Sequence, residues 1–202
     1  MYPVGGIGRA YFVPHAMIAY AGEREEGLYG ATTAALREAA RTIAAERPDV
    51  LVLATPHWPP PEAPENPPAF RIDARDRLTG TYREFLPHVQ AALPPAHRRI
   101  FDPVDFDYPG DPELAETAFN VARSAGLPVE LARDGSPMDH GSLVPLLYLH
   151  GEADLRVLRV SVVEGLPDES YRWGDSISTA THRLGRRAVF VASGTLSHPL
   201  HV

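Results

Sequence analysis

The sequence predicts an α/β fold, a single-domain sandwich in which a central mixed, largely parallel sheet is flanked by helices. Apolar runs of strand length alternate with segments of helical periodicity, and this alternation is typical of α/β proteins. A chain of 202 residues is long enough to bury a sizeable core, so we expect residues 1–202 to form one domain. No internal repeat or second-domain linker interrupts the pattern.

The N-terminal part of the chain predicts two strands, a helix and a proline-rich loop. Residues 11–15 and residues 50–55 are strand-like, and the second run is apolar throughout, which indicates a strand covered on both faces. Six prolines between residues 59 and 68 predict a rigid, irregular loop placed where it would wall a pocket. A helix is predicted over residues 23–46 from apolar residues that recur at steps of three and four: Leu28, Ala31, Ala35, Ala39 and Ile43.

The remaining elements are predicted from shorter patterns and from residues typical of helix ends. Asp111 as N-cap, Pro112 at the first helical position and Gly126 at C′ bound a well-marked helix. Another helix is predicted to be capped by Asp168 and to extend to about Leu184. The other predictions are an edge strand at 69–72, a helix at 83–93 interrupted at Pro87, strands at 128–132, 156–163 and 188–192, and a short helix at 142–150.

Four histidines follow apolar segments at turns, and prolines or glycines flank all four. His15 and His57 end the first two strand-like runs as Pro-His pairs, His140 stands in an Asp-His-Gly block, and His198 precedes a proline. The carboxyl ends of strands in an α/β sheet meet at one edge, where histidines can bind a metal ion. Four further histidines are interpreted as structural or surface residues: His88, His97, His150 and His182.

Composition restricts the chemistry and the partners. The chain has no cysteine, so any metal must be held by nitrogen or oxygen atoms. All 19 basic residues are arginine, which excludes a Schiff-base lysine and the lysine of a phosphate-binding loop. The net charge of −7 argues against a nucleic-acid partner. No apolar run approaches the roughly 20 residues that cross a bilayer, and no signal peptide is recognisable, so we expect a cytoplasmic protein without a membrane partner.

Motifs of other enzyme classes are absent or incomplete. Gly6-Ile7-Gly8 precedes a strand, whereas the glycines of a dinucleotide-binding fingerprint follow one. The sequence contains neither the Gly-x-Ser-x-Gly elbow of serine hydrolases nor the His-Glu-x-x-His pattern of zinc proteases. We therefore expect a metal site and no organic cofactor.

Six blocks of the sequence, taken together and in order, carry a family resemblance. They are Pro14-His15, Thr55-Pro56-His57-Trp58, Asp107-Tyr108-Pro109-Gly110-Asp111-Pro112-Glu113-Leu114, Met138-Asp139-His140-Gly141, Val144-Pro145-Leu146 and Ser193-Gly194-Thr195-Leu196-Ser197-His198. Their arrangement resembles the class III extradiol ring-cleavage dioxygenases, the family of the protocatechuate 4,5-dioxygenase beta subunit and the DOPA dioxygenases. The resemblance extends from near the N-terminus to the last residue.

The resemblance implies a role for each matched residue. It implies that His15 and His57 bind a non-haem Fe(II) ion, with Zn(II) as the metal of some relatives. It makes His198 the catalytic acid–base residue and His140 the second pocket histidine, with Asp139 beside it. The resemblance implies that the partners are a catechol-type small aromatic and O₂. The residue types fit this role, since two neutral imidazoles can hold such a metal and a histidine can take and return a phenolic proton. The residues expected to line the substrate pocket are Trp58, Ser197 and Pro199.

The third metal ligand of the family, usually a carboxylate, is expected beyond the Ser-His block, and the sequence ends at Val202. We therefore expect a C-terminally short domain whose third ligand is His201, a glutamate such as Glu23, or a side chain of a partner subunit. Apolar surface exposed by such a short domain would favour a homo-oligomer. Three functions stay open: an Fe(II)-dependent extradiol dioxygenase, a non-catalytic or degenerate family member that keeps the fold as a binding or accessory subunit, and zinc-dependent chemistry without activation of dioxygen.

Overall fold

The computed structural model describes residues 5–15, 30–58, 70–82, 103–135, 137–151, 155–163 and 165–194. Strands and helices alternate over much of these ranges. In chain order, the elements are β1 (Gly6–Pro14), α1 (Gly30–Glu46), β2 (Val50–Thr55), β3 (Phe70–Asp73), β4 (Arg77–Tyr82), β5 (Val104–Pro109), α2 (Pro112–Ser124), β6 (Val129–Ala132), α3 (His140–Leu149), β7 (Arg156–Ser161), α4 (Pro167–Arg183) and β8 (Arg187–Gly194).

A six-stranded sheet in the order β1-β8-β2-β7-β3-β6 forms the centre of the molecule. Each neighbouring pair is parallel except β3 and β7, which are antiparallel. The predicted α/β fold with a mixed, largely parallel sheet is therefore confirmed. β4 and β5 form a separate antiparallel pair that the sequence analysis did not predict.

The apolar run of β2 lies in the middle of the sheet, and all six of its residues are buried. Successive side chains of a strand point to opposite faces. Leu51 and Leu53 accordingly pack in one core cluster with residues of α1 and α3, whereas Val50 and Val52 pack in the other with residues of α2 and α4. Burial on both faces explains why this strand reads as continuously apolar rather than alternating.

Local signals at helix ends predicted α2 correctly. Asp111 is its N-cap, and the Asp111 carboxylate accepts a hydrogen bond from the Leu114 amide at 3.1 Å. Pro112 is the first helical residue, and Gly126 follows the C-cap with a φ of +75°, a conformation that favours glycine. The helix of residues 23–46 is confirmed from Gly30 onward, and residues 23–29 lie outside the described ranges.

Other helix boundaries differ from the predictions. Asp168 is not the N-cap of α4, because Leu166 occupies that position without a side-chain hydrogen bond and Asp168 lies inside the first turn. Pro167 at the first position, whose missing N–H costs nothing there, explains how this helix begins without a polar cap. The predicted helix at 142–150 begins two residues earlier, at His140, because Asp139 caps it.

The strand predicted at the sheet edge over residues 69–72 lies inside the sheet. β3 is hydrogen-bonded between β7 and β6, and all four of its residues are buried. Its two charged residues, Arg71 and Asp73, form ion pairs in the interior: Asp73 pairs with Arg159 at 2.9 Å, and Arg71 with Asp134 at 3.1 Å. The predictions for residues 59–68 and 83–93 concern segments outside the described residues.

Among the described helices, none combines the length and the apolar character that crossing a membrane requires.

Candidate metal centre

Three of the four predicted histidines lie together at the carboxyl edge of the parallel strands. His15 directly follows β1, His57 stands two residues after β2, and His140 is the first residue of α3. β1 and β2 flank β8 and are both parallel to it, so their carboxyl ends lie on the same side of the sheet. One nitrogen from each ring lies within 4.8 Å of one nitrogen of each of the others.

The spacing of the first two rings suits a shared cation. The Nε2 atoms of His15 and His57 are 3.0 Å apart, and the rings meet edge to face at 84°. Two nitrogens that each bind an ion at about 2.1 Å are about 3.0 Å apart when they subtend an angle of about 90°. The ring of His140 packs against that of His57, with 4.0 Å between centroids and an interplanar angle of 33°. The cluster therefore offers up to three imidazole donors from three different elements.

His15 is buried and is held by the end of β8. Its Nδ1 lies 3.0 Å from Ser193 Oγ, and the same hydroxyl donates a hydrogen bond to the carbonyl of Gly141. A metal-bound histidine is usually held at its other ring nitrogen in this way. Sequence reasoning placed Ser193 in a matched block without giving it a role, and its position one residue before the strand-ending glycine was the available signal.

Asp139 connects the start of α3, which carries His140, with the end of β2, which precedes His57. Its carboxylate accepts hydrogen bonds from the Ser142 amide at 2.9 Å, from the Ser142 hydroxyl at 2.8 Å and from the Thr55 hydroxyl at 2.7 Å. Thr55 Oγ1 in turn accepts the His57 amide at 3.2 Å. Asp139 therefore caps α3, where His140 begins, and orders the turn that carries His57.

Gly141 allows the start of α3 to approach β2. A Cβ atom at this position would lie 2.5 Å from Thr55 Oγ1, 2.9 Å from Asp139 Oδ1 and 3.0 Å from His57 Cδ2. These distances are shorter than ordinary van der Waals contacts, so any larger side chain requires the polar network to move. The Asp-His-Gly block thus combines a helix cap, a site histidine and a residue without a side chain.

Buried charged residues lie next to Asp139. Arg159 pairs with Asp73 at 2.9 Å and lies 3.7 Å from the Asp139 carboxylate. Burial has the largest effect on the pKa of the Arg159 guanidinium and lowers it, whereas the negative charges of Asp73 and Asp139 raise this pKa. Trp58 is buried, with Arg159 at 3.8 Å and Arg71 at 4.5 Å from its ring centroid. The sequence analysis did not predict these arginine contacts, and the pocket role of Trp58 stays a prediction.

Several predicted site residues fall outside the described ranges. These are His198, Ser197 and Pro199, and the same holds for His201 and Glu23, which were considered as third metal ligands. Two histidines interpreted as structural have contacts that fit that interpretation. His150 Nε2 lies 2.7 Å from the Leu155 carbonyl oxygen, and the His182 ring occupies the space that a Cβ at Gly6 would need.

Comparisons with known proteins identify a family of similar sequences. A family model described as "Catalytic LigB subunit of aromatic ring-opening dioxygenase" matches residues 9–202. Among the curated relatives, Protein CA_C1420 of Clostridium acetobutylicum is 25% identical, and the match covers 94% of this chain and 39% of that protein. The 2-aminophenol 1,6-dioxygenase beta subunit of a Pseudomonas species is 27% identical, covering 81% of this chain and 51% of the relative.

Two further similarities come from a plant enzyme and from a solved structure. The 4,5-DOPA dioxygenase extradiol of Beta vulgaris is 24% identical, covering 78% of this chain and 52% of that enzyme. The crystal structure of uncharacterized protein JW3007 from Escherichia coli K12 has a TM-score of 0.51 at 20% identity, and the match covers 84% of this chain and 55% of that one. This structural similarity supports the fold. The chain spans about two fifths to one half of the length of the curated relatives it matches.

Proposed function

The chain belongs to the family of the catalytic LigB subunit of aromatic ring-opening dioxygenases, and from this premise we propose that it is a non-haem Fe(II)-dependent extradiol dioxygenase. Its substrates would be a catechol-type small aromatic and O₂. The observation that carries the proposal is the cluster of three imidazoles at the carboxyl edge of the sheet. The names of two relatives, one from Pseudomonas and one from Beta vulgaris, support a dioxygenase reaction.

The donor set fits a divalent ion of the first transition series. Imidazole nitrogen suits iron and zinc, and the 3.0 Å separation between His15 and His57 allows both to bind one ion. We propose these two residues as the metal ligands. When bound, Fe(II) would supply a positive charge that favours the ionised diol and a path for electrons from the diol to dioxygen.

The protein's own side chains would orient the diol and move its protons. His140 packs on His57 and is close enough to the proposed ligands to hydrogen-bond a substrate hydroxyl bound beside them. The resemblance supports His198 as the residue that takes a phenolic proton and returns it, because histidine is the side chain suited to proton exchange near neutral pH. Asp139 would act as a positioning residue, because its carboxylate holds the first turn of α3 and, through Thr55, the His57 backbone.

Zinc-dependent chemistry is a second candidate, which the composition of the cluster favours. Among the described residues, the group that could hold a metal contains His15, His57 and His140 and no carboxylate. Three imidazoles with an open fourth position are a known donor set of catalytic zinc. Zinc does not change its oxidation state, so this candidate excludes the activation of dioxygen.

Metal binding and oxygen uptake test the proposal. The purified chain is reconstituted anaerobically with Fe(II), the iron is quantified, and oxygen uptake is measured with a series of catechols. We expect about one iron per wild-type chain. His57→Ala should lose the iron, whereas His140→Ala should retain it and lose turnover by about 10²–10⁴-fold, the usual contribution of a proton-transferring side chain. His150→Ala is the matched control and should retain both, because His150 contacts the Leu155 carbonyl instead of the cluster.

The alternatives predict other results. Equal trace iron in the wild type and in His57→Ala would refute the proposal and favour a binding or accessory role for a non-catalytic family member. Bound zinc without oxygen uptake would favour the zinc candidate. Loss of iron in His140→Ala would identify this residue as a third ligand and overturn its proposed role in proton handling. The cytoplasmic location and the homo-oligomer expected from the sequence stay predictions, and sedimentation of the purified chain tests the second.

A further inference from the structure

We propose that Ser193 is a positioning residue that fixes the tautomer of His15 and thereby keeps the Nε2 lone pair of His15 directed into the metal site. This inference rests on the proposed function, because it assigns His15 to the metal. It concerns a hydroxyl at the end of β8 that is not itself a candidate ligand.

The direction of the two hydrogen bonds at Ser193 follows from the chemistry of the partners. Ser193 Oγ contacts the Gly141 carbonyl oxygen and His15 Nδ1. A carbonyl oxygen can only accept, and a serine hydroxyl has one hydrogen to donate. The Ser193 hydrogen is therefore directed to Gly141, and the Ser193 oxygen must accept a hydrogen from His15. His15 consequently carries its hydrogen on Nδ1.

This assignment has a direct consequence for the opposite ring nitrogen. A neutral imidazole with hydrogen on Nδ1 has an unprotonated Nε2, which is the form that binds a metal ion. Nε2 is the atom of His15 that faces His57, at a distance of 3.0 Å. Water does not readily replace the Ser193 contact, because His15 is 4% exposed and Ser193 is 7% exposed.

The sheet register explains why Ser193 can reach both partners. Ser193 is paired with Val13, and Gly194 with Pro14. The serine therefore lies beside the end of β1, two residues before His15. Gly141 follows His140 in the first turn of α3. The Ser193 hydroxyl thus links the His15 ring to the first turn of α3, which carries His140. Ser193 and His15 are 178 positions apart in sequence.

Loss of the hydroxyl should act on the metal site specifically. In Ser193→Ala, the Nδ1 hydrogen of His15 and the Gly141 carbonyl lose their shared partner, and the ring can rotate or adopt the other tautomer. Removal of the residue that holds a ligating histidine typically weakens metal binding by about 10–100-fold. Ser193→Thr retains a hydroxyl and should restore much of the affinity.

The experiment compares these variants with a matched serine at the end of another strand of the same sheet. Ser161 closes β7, is fully buried, and accepts the Arg71 amide at 2.8 Å, so Ser161→Ala removes an equally buried hydrogen bond that has no contact with His15. The dissociation constant for Zn(II) is measured by competition with a chromogenic chelator, and thermal unfolding is followed in parallel. Imidazole ¹⁵N spectra of the metal-free protein report the tautomer of His15 directly.

We expect Nδ1–H at His15 in the wild type, a dissociation constant raised about 10–100-fold in Ser193→Ala, and partial recovery in Ser193→Thr. Ser161→Ala should lower the unfolding temperature and leave the dissociation constant within about 2-fold of the wild type. Equal affinity in the wild type and Ser193→Ala, or an Nε2–H tautomer of His15, would overturn this inference alone. Absence of metal binding in the wild type would overturn the proposed function, and this inference with it.

Discussion

Replacement of Gly141 by alanine should destabilise the protein and weaken the metal site, although alanine favours helices. Gly141 is the second residue of α3, where intrinsic propensity alone would make alanine the better residue by up to about 1 kcal/mol. The added Cβ would lie 2.5 Å from Thr55 Oγ1, about 1 Å inside ordinary contact. It would also approach His57 Cδ2 at 3.0 Å and Asp139 Oδ1 at 2.9 Å. Relief of these contacts must displace the hydrogen bond between Thr55 and Asp139, or the His57 ring.

The magnitude follows from the cost of overpacking a well-packed interior, about 1–3 kcal/mol. For a chain of this size, each kcal/mol shifts the unfolding midpoint by about 2–4 °C, so we expect Gly141→Ala to lower it by about 2–12 °C. Displacement of His57 should weaken metal binding as well, because the 3.0 Å separation from His15 leaves little room for a shared ion to adjust.

Gly174 offers a matched control inside α4. A Cβ at Gly174 would meet no atom within 4 Å, so Gly174→Ala should raise stability by about 0.5–1 kcal/mol through helix propensity. Thermal unfolding and chelator competition on both variants give the comparison. Equal stabilisation by the two substitutions, with unchanged metal affinity in Gly141→Ala, would refute the assignment of Gly141 as the point of close approach.

Three further predictions concern Arg159, Tyr108 and Asp111. Arg159→Met should destabilise the protein by about 1.5–3 kcal/mol, because it removes one of the two arginines that pair with the buried Asp73 carboxylate and leaves Arg75, at 2.6 Å, as the other. An unfolding free energy equal to that of the wild type would contradict this. Burial raises the pKa of Tyr108 to about 12, above the ordinary value of about 10. The folded state thus holds this proton more tightly, so the associated stability is complete below about pH 10 and is lost as the pH rises to about 12. Tyr108→Phe should flatten the pH dependence of the unfolding free energy between about pH 10 and pH 12. An unchanged slope would contradict the raised pKa of Tyr108. Asp111→Ala should cost at least about 1 kcal/mol in unfolding experiments by removal of the N-cap bond to Leu114, whereas Asp111→Asn, which retains a capping oxygen, should cost less.

Features that depend on neighbours in sequence were predictable. The continuous apolar run of β2 requires burial on both faces, and Asp111, Pro112 and Gly126 each have a conformational preference that acts within one helical turn. His15 and His57 follow runs of strand length, so their placement at one edge followed once the strands were taken as parallel.

Features that depend on distant pairing were not predictable from these patterns. β3 was predicted as an edge strand, and in its interior place Asp73 is paired by Arg159, 86 residues further along the chain. The pairing of β4 with β5 likewise joins segments that the chain separates by more than twenty residues. In each case the partner that satisfies a charge or a backbone group comes from another element, and local propensity has no information about it.

The candidate site likewise combines features that are local in sequence with features that depend on distant residues. The sequence by itself excluded thiolate donors, since the chain has no cysteine, and it indicated which histidines follow strands. The resemblance had already grouped His140 with His15 and His57, whereas the tertiary structure decided how close the three rings lie and that Ser193 and Asp139 hold this arrangement in place. The physical reason is that a residue's type and its position in a strand are local properties. The distance between two imidazoles is set by the order of strands in the sheet and by the packing of α3 against it.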